Sequence, residues 1–141
     1  QTNEKNISIL REYYQKNDID NLIFSFNPNF ENVLINSDLC ITRAGASTLA
    51  ELSVMNIPFV AVPLSSAKDN HQFENANFYK NKDCCWIINQ QLFEEKIEEL
   101  LIDIIQNKTD FLDKKENLKK LNYQNTWINV NQKITSIINE N

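Results

Sequence analysis

Apolar positions along the chain change repeatedly between the spacing of helices and the spacing of buried strands. A period of about 3.6 residues, first seen over residues 7–14, is typical of a helix with one buried face. Short apolar runs bounded by Asn, Asp or Pro predict strands. In chain order the pattern predicts helix 7–14, strand 22–26, helix 30–36, strand 38–42, helix 47–55, strand 59–63, helix 69–81, strand 84–88 and helix 92–105.

This alternation predicts the fold class. Strands that are apolar on both faces and separated by helices indicate a parallel sheet with helices on both faces, which is a Rossmann-like α/β architecture. After Asn107 the pattern predicts two helices and no further strand. We therefore expect residues 1–107 to form a partial Rossmann-like domain and residues 108–141 to be the closing C-terminal helices of the same domain.

Composition narrows the classes of function. The net charge is −5, with two arginines, so no basic track for nucleic acid is expected. Cys40, Cys84 and Cys85 have no C-x-x-C spacing and indicate buried thiols in a reducing cytosol. His71 is the only histidine, so we expect neither a metal site nor a cofactor. The apolar runs are too short to cross a membrane, and the chain as given is expected to be soluble.

The first candidate site surrounds Gly45, the only glycine in 141 residues. A residue type used once is expected where no side chain fits. The segment 43–51 follows an apolar strand directly and consists mainly of small residues. Unpaired N–H groups at the start of a helix bind anions, and small residues let a phosphate approach them. Ala46, Ser47 and Thr48 would present such donors to a diphosphate.

Two interpretations of this segment remain open. Thr48 and Glu51 fit a capping box, which would make a well-capped helix without a ligand. Alternatively, the Glu51 carboxylate accepts hydrogen bonds from both hydroxyls of a ribose. We expect Arg43 to brace the loop by binding carbonyl groups rather than to pair with a phosphate.

A second polar segment, residues 63–76, follows the next strand. In a parallel sheet it lies at the same carboxyl edge as the Gly45 loop. His71, Gln72 and Asn75 are neutral hydrogen-bonding groups on one turn of the predicted helix, and they suit sugar hydroxyls better than a metal or a proton transfer. As an alternative, Asp69 and Gln72 could only cap this helix.

Three motifs together resemble the C-terminal domain of the bacterial MurG-type glycosyltransferases. They are R-A-G-A-S-T-L-A-E at 43–51, I-P-F-V-A-V-P-L at 57–64 and D-N-H-Q-F-E-N-A at 69–76. The resemblance implies a two-domain GT-B enzyme whose C-terminal half binds a UDP-sugar. It places Ala46, Ser47 and Thr48 on the diphosphate and Glu51 on the ribose. The remaining implied contacts are uracil with the backbone at Asn27, and GlcNAc or the nearby diphosphate with His71, Gln72 and Asn75.

The resemblance also implies a function and its limits. The family transfers GlcNAc, with inversion, from UDP-GlcNAc to undecaprenyl-diphospho-muramoyl-pentapeptide in peptidoglycan synthesis, at the cytoplasmic face of the bacterial inner membrane. The acceptor-binding and membrane-contacting N-terminal domain and the glycine-rich first loop have no counterpart in this sequence. We therefore expect a fragment without catalytic residues, inactive alone. Alternatives are another UDP-sugar transferase or hydrolase of the same fold, or a nucleotide-sugar-binding subunit that needs a separate partner chain.

Overall fold

Helices and strands alternate in the structure, a computed structural model that describes residues 1–124 and 127–139. They divide into two compact units, Gln1–Val33 and Leu34–Asn141. The strands are β1 (Cys40–Thr42), β2 (Phe59–Ala61) and β3 (Cys85–Ile87). The α-helices are α1 (Glu4–Lys16), α2 (Phe30–Ile35), α3 (Ala46–Val54), α4 (His71–Lys80), α5 (Phe93–Gln106), α6 (Lys108–Gln124) and α7 (Trp127–Asn139).

The first unit differs from the sequence prediction at residues 22–26, which form no strand. Leu22 and Phe26 are exposed. The segment is held to the start of the chain by one backbone–backbone bond, from the Thr2 N–H to the Phe24 carbonyl at 2.9 Å, and by a side-chain bond from Gln1 Nε2 to the Ser25 carbonyl at 2.8 Å. A strand needs a ladder of such bonds with a neighbouring strand. The predicted strand is therefore wrong for this structure, although the predicted helix α1 is confirmed.

The second unit contains a parallel sheet of strand order β1-β2-β3. Thr42 pairs with Ala61, and Ala61 pairs with Ile87, so the three strands end together at one edge. Parallel pairing requires helical crossovers, which α3 and α4 supply between successive strands. The predicted α/β fold class with a parallel sheet is confirmed.

The core lies on both faces of β2, whose three residues are all inaccessible to solvent. Successive side chains of a strand point to opposite faces. Val60 packs in a cluster with Ile88 and with Ile104 of α5. Phe59 instead meets the ring of Tyr79 on α4, edge to face at 5.4 Å between centroids. Helices therefore cover both faces of the sheet, as its apolar strands predict.

The closing segment forms two helices, α6 and α7, as predicted from the pattern after Asn107. The predicted range, 108–141, includes residues 125, 126, 140 and 141, which lie outside the described residues. The end of α6 is attached to the end of α3 by Asn122, whose Nδ2 donates to the Ser53 carbonyl and, at 3.2 Å, to Asn56 Oδ1. This contact anchors α6 to the helix that begins at the Gly45 loop.

The cysteines are free thiols, and Cys84 and Cys85 are buried. Burial raises the pKa of all three thiols, and that of Cys85 to about 12. All three thiols are therefore protonated at neutral pH, and Cys84 and Cys85 belong to the core. Among the described residues, no helix is both long and apolar enough to cross a membrane.

Candidate functional site

The start of α3 presents a row of backbone donors at the carboxyl edge of the sheet. The helix begins at Ala46 after Gly45, and its first internal bond runs from the Leu49 N–H to the Gly45 carbonyl, 3.0 Å long. The N–H groups of Ala46, Ser47 and Thr48 precede this bond and have no acceptor in the described part of the chain. Unpaired amides and the helix dipole together favour an anion at this position.

The capping-box interpretation of Thr48 and Glu51 is wrong. Gly45 occupies the N-cap position, and no side chain caps the helix. Thr48 is the third residue of α3, so its hydroxyl cannot act as the N-cap group. Glu51 lies one turn into the helix, where it is exposed. Its carboxylate makes no bond within the described residues and is open to a ligand.

Gly45 also differs from its prediction, because a side chain fits there. Its φ of −68° and ψ of 135° are ordinary for any residue. A Cβ atom built on it would meet Thr48 Oγ1 at 3.8 Å, a normal van der Waals contact. Neither backbone conformation nor packing within the chain therefore requires glycine at this position.

Helix α4 joins the two polar loops through amide side chains. Asn75 Nδ2 donates to the Ala44 carbonyl at 3.1 Å, in the loop after β1. Gln72 Oε1 accepts the Leu64 N–H at 2.9 Å, in the loop after β2. His71 is the exposed first residue of α4. The structure thus brings His71, Gln72 and Asn75 to the same edge as the start of α3.

The alternative that Asp69 and Gln72 form a helix-capping pair is wrong. Asn70 is the N-cap of α4, in the left-handed conformation with φ of 55°, and makes no side-chain cap bond. Asp69 has a φ of 52°, also left-handed. The Gln72 oxygen is instead bonded to the Leu64 N–H. Asn and Asp tolerate this conformation because their short polar side chains bond locally.

A further contact links the loops after all three strands. Arg43 Nη1 donates to the Val62 carbonyl at 3.4 Å and to Gln90 Oε1 at 2.9 Å. The same Gln90 oxygen accepts the Ser65 N–H at 3.4 Å. Sequence reasoning missed Gln90. Its position shortly after β3 was the available signal, since every loop following a parallel strand reaches the same edge.

Asn27 belongs to the first unit, where its Oδ1 accepts the Asn29 N–H at 2.9 Å and closes a turn. Among the described residues, no group of three His, Cys, Asp or Glu side chains could hold a metal ion. At this edge the second unit therefore offers backbone amides, neutral side-chain amides and the exposed Glu51 carboxylate.

These features define an α/β domain in which the unpaired amides at a helix start lie at the carboxyl edge of a parallel sheet. The chain belongs to glycosyltransferase family 28, whose C-terminal domain model matches residues 1–127.

Relatives and a solved structure agree with this assignment. A Pelagibacter ubique protein, 50% identical over all of this chain, is named UDP-N-acetylglucosamine–N-acetylmuramyl-(pentapeptide) pyrophosphoryl-undecaprenol N-acetylglucosamine transferase. A Wolbachia protein of the same name is 35% identical over 89% of the chain. The crystal structure of Acinetobacter baumannii MurG has the same fold, with a TM-score of 0.73 and 22% identity over 85% of this chain and 35% of that one. The chain spans 40% and 37% of the two relatives.

Proposed function

We propose that the chain is the donor-binding part of an inverting glycosyltransferase that moves GlcNAc from UDP-GlcNAc to a lipid-diphosphate-linked muramoyl-pentapeptide in peptidoglycan synthesis. The observation that carries this proposal is the start of α3. Its three unpaired amides lie at the sheet edge where the side chains of Gln72 and Asn75 also meet. The names of the relatives supply the donor and the acceptor.

In this proposal the start of α3 stabilises the leaving group. As the bond to GlcNAc breaks, negative charge develops on the departing UDP. Preorganised N–H groups of Ala46, Ser47 and Thr48, with the helix dipole, stabilise that charge without reorganising. Glu51 binds the two ribose hydroxyls, since its carboxylate has two acceptor oxygens.

The GlcNAc and uracil parts of the donor have separate contacts in this proposal. His71, Gln72 and Asn75 bind GlcNAc or the nearby diphosphate, and the backbone at Asn27 binds uracil. We assign to this chain neither the base that deprotonates the acceptor nor the surface that meets the lipid. In the proposal, a further domain of the protein supplies both at the cytoplasmic face of the inner membrane.

The ribose contact gives a direct test. Glu51→Ala in the full-length protein should weaken UDP binding about 10- to 100-fold, because a charge-assisted hydrogen bond contributes ~1.5–3 kcal/mol. Titration calorimetry with UDP measures the effect. The matched control is Glu98→Ala, which removes an exposed carboxylate from α5 and should leave the Kd unchanged.

A second ligand sharpens the test. If Glu51 binds the ribose hydroxyls, 2′-deoxy-UDP should bind the wild-type protein more weakly than UDP, and Glu51→Ala should discriminate less between the two. Equal discrimination in both proteins would exclude the 2′-hydroxyl contact. Competition among UDP-GlcNAc, UDP-GalNAc and UDP-glucose then tests the sugar, and preference for another sugar would favour a different transferase of this fold.

A further inference from the structure

We propose that Gln90 is a positioning residue of the donor site, and this inference rests on the proposed function above. Its side-chain oxygen accepts hydrogen bonds from Arg43 Nη1 at 2.9 Å and from the Ser65 N–H at 3.4 Å. Arg43 follows β1, Ser65 follows β2 and Gln90 follows β3. One atom therefore joins the segments that leave the carboxyl ends of all three strands.

These segments hold the groups assigned to the donor. The loop that begins at Arg43 leads into the amides of α3, and the loop that contains Ser65 leads into α4. Helix α4 already joins the two loops through Gln72 and Asn75. Gln90 adds a bond from the third strand, so the spacing between the diphosphate and sugar contacts depends on it. Small displacements of positioning groups have large effects on donor use.

The chemistry of the contact favours an acceptor at residue 90. The Arg43 guanidinium has only donor groups. A backbone N–H is also a donor, so the Gln90 oxygen must face both partners. The bond to Arg43 is charge-assisted and is therefore stronger than a bond between neutral groups.

Because the contact is exposed, its loss should affect the position of the loops more than the stability of the domain. Arg43 and Ser65 are both exposed, so water can replace the Gln90 oxygen when it is removed. Loss of the contact should therefore loosen the loops without unfolding the domain. A buried structural contact would behave differently, because its loss would lower the melting temperature.

The test uses three variants of the full-length protein. Gln90→Leu removes the acceptor at similar size, Gln90→Glu keeps an acceptor opposite Arg43, and Gln91→Leu changes the exposed neighbouring glutamine, whose backbone N–H rather than side chain is bonded. We expect Gln90→Leu to raise KM for UDP-GlcNAc about three- to tenfold while kcat and Tm hold. The KM of Gln90→Glu should stay within about twofold of the wild-type value. The KM of Gln91→Leu should equal the wild-type value.

Hydrogen–deuterium exchange provides a readout that does not depend on activity. Peptides that cover residues 62–67 should exchange faster in Gln90→Leu than in Gln91→Leu, because the Ser65 N–H loses its acceptor. Arg43→Leu and the double variant with Gln90→Leu complete a cycle. Their effects on KM should not add, since each change removes the same bond.

The outcomes distinguish the two proposals. Equal KM and equal exchange in Gln90→Leu and Gln91→Leu would overturn the role of Gln90 while leaving the donor assignment intact. If Tm falls in Gln90→Leu and falls equally in Gln90→Glu, the positioning role is also overturned, because that result indicates a structural contact. If the wild-type protein neither binds nor uses UDP-GlcNAc, the proposed function fails, and equal exchange in the two leucine variants then overturns the loop contact as well.

Discussion

At the scale of single residues, Gln72 and Asn75 each bond through one amide atom, and the other amide atom has no partner among the described residues. Gln72 Oε1 is bonded to the Leu64 N–H, which fixes Nε2 as the group that a ligand would meet. Asn75 Nδ2 is bonded to the Ala44 carbonyl, which leaves Oδ1. The bonded partners thus assign the amide orientations. We infer that Gln72 donates to the sugar and that Asn75 accepts from it.

The variant Gln72→Glu separates these two uses of one side chain. A carboxylate still accepts the Leu64 N–H, so the loop should hold, but it cannot donate to the sugar. We expect KM for UDP-GlcNAc to rise about tenfold with exchange at residues 62–67 unchanged. Gln72→Leu loses both bonds and should show the rise in KM together with faster exchange. An unchanged KM in Gln72→Glu would contradict the inference that Gln72 donates a hydrogen bond to the sugar.

Gly45 has an ordinary backbone, and a Cβ atom fits there. Glycine is favoured at an N-cap, and it also lets a ligand approach the backbone closely. We infer that the second reason applies here. Gly45→Ala should therefore change Tm little and weaken UDP binding about tenfold, measured by calorimetry. The result that would count against this explanation is unchanged UDP affinity in a protein of unchanged stability.

At the scale of elements, periodicity located the helices and strands of the second unit and failed where pairing or capping decides the outcome. The run 22–26 has strand composition, but composition does not tell whether a neighbouring strand is available to pair with it. The Thr48–Glu51 pair matches a capping box, yet the same spacing also fits the interior of a helix. The loop from Thr42 to Gly45 sets the true start of α3, three residues earlier than that motif indicates.

The turn into α4 shows the same limit. Asp69 and Asn70 both adopt left-handed conformations, which these residue types tolerate. The sequence predicts a capping pair of Asp69 and Gln72, but it does not show which backbone region Asp69 and Asn70 occupy. The left-handed turn is followed by Gln72, which is bonded to the preceding loop rather than to the start of its own helix.

At the scale of the whole molecule, the topology predicts which loops lie at the candidate site. It does not predict which side chains bond to one another there. Parallel strands with helical crossovers must end at one edge, so the segments 43–51 and 63–76 could be assigned to it from the sequence. The bonds that hold this edge and the core join residues far apart, such as Arg43 with Gln90 and Lys114 with Asp83. Which distant side chains meet depends on how the helices pack, and a single sequence does not reveal that.

Lys114 is the clearest case, since sequence alone would place a lysine at the surface. It is only 5% exposed, with Nζ 2.8 Å from carboxylate oxygens of both Asp83 and Asp110 and 4.9 Å from the centre of the Trp86 ring. Trp86 Nε1 also donates to Asp110 at 3.0 Å. The cluster fastens α6 to the start of β3, and so to the sheet whose edge carries the candidate site.

Lys114→Met tests how much this cluster stabilises the second unit. We expect the free energy of unfolding to fall by about 2 kcal/mol. This loss is smaller than for a fully buried ion pair because water reaches both carboxylates. Burial lowers the pKa of Lys114, but its hydrogen bonds to Asp110 and Asp83 outweigh this and leave the pKa raised. The stabilisation is therefore complete below the unfolded pKa, about 10.4, and lost as the pH rises through the folded pKa.

Hydrogen exchange of α6 peptides measures the loss of stability in Lys114→Met. The exposed neighbour provides the control, Lys115→Met, which should change stability by less than about 0.5 kcal/mol; equal effects of the two substitutions would show that the cluster does not hold α6 in place.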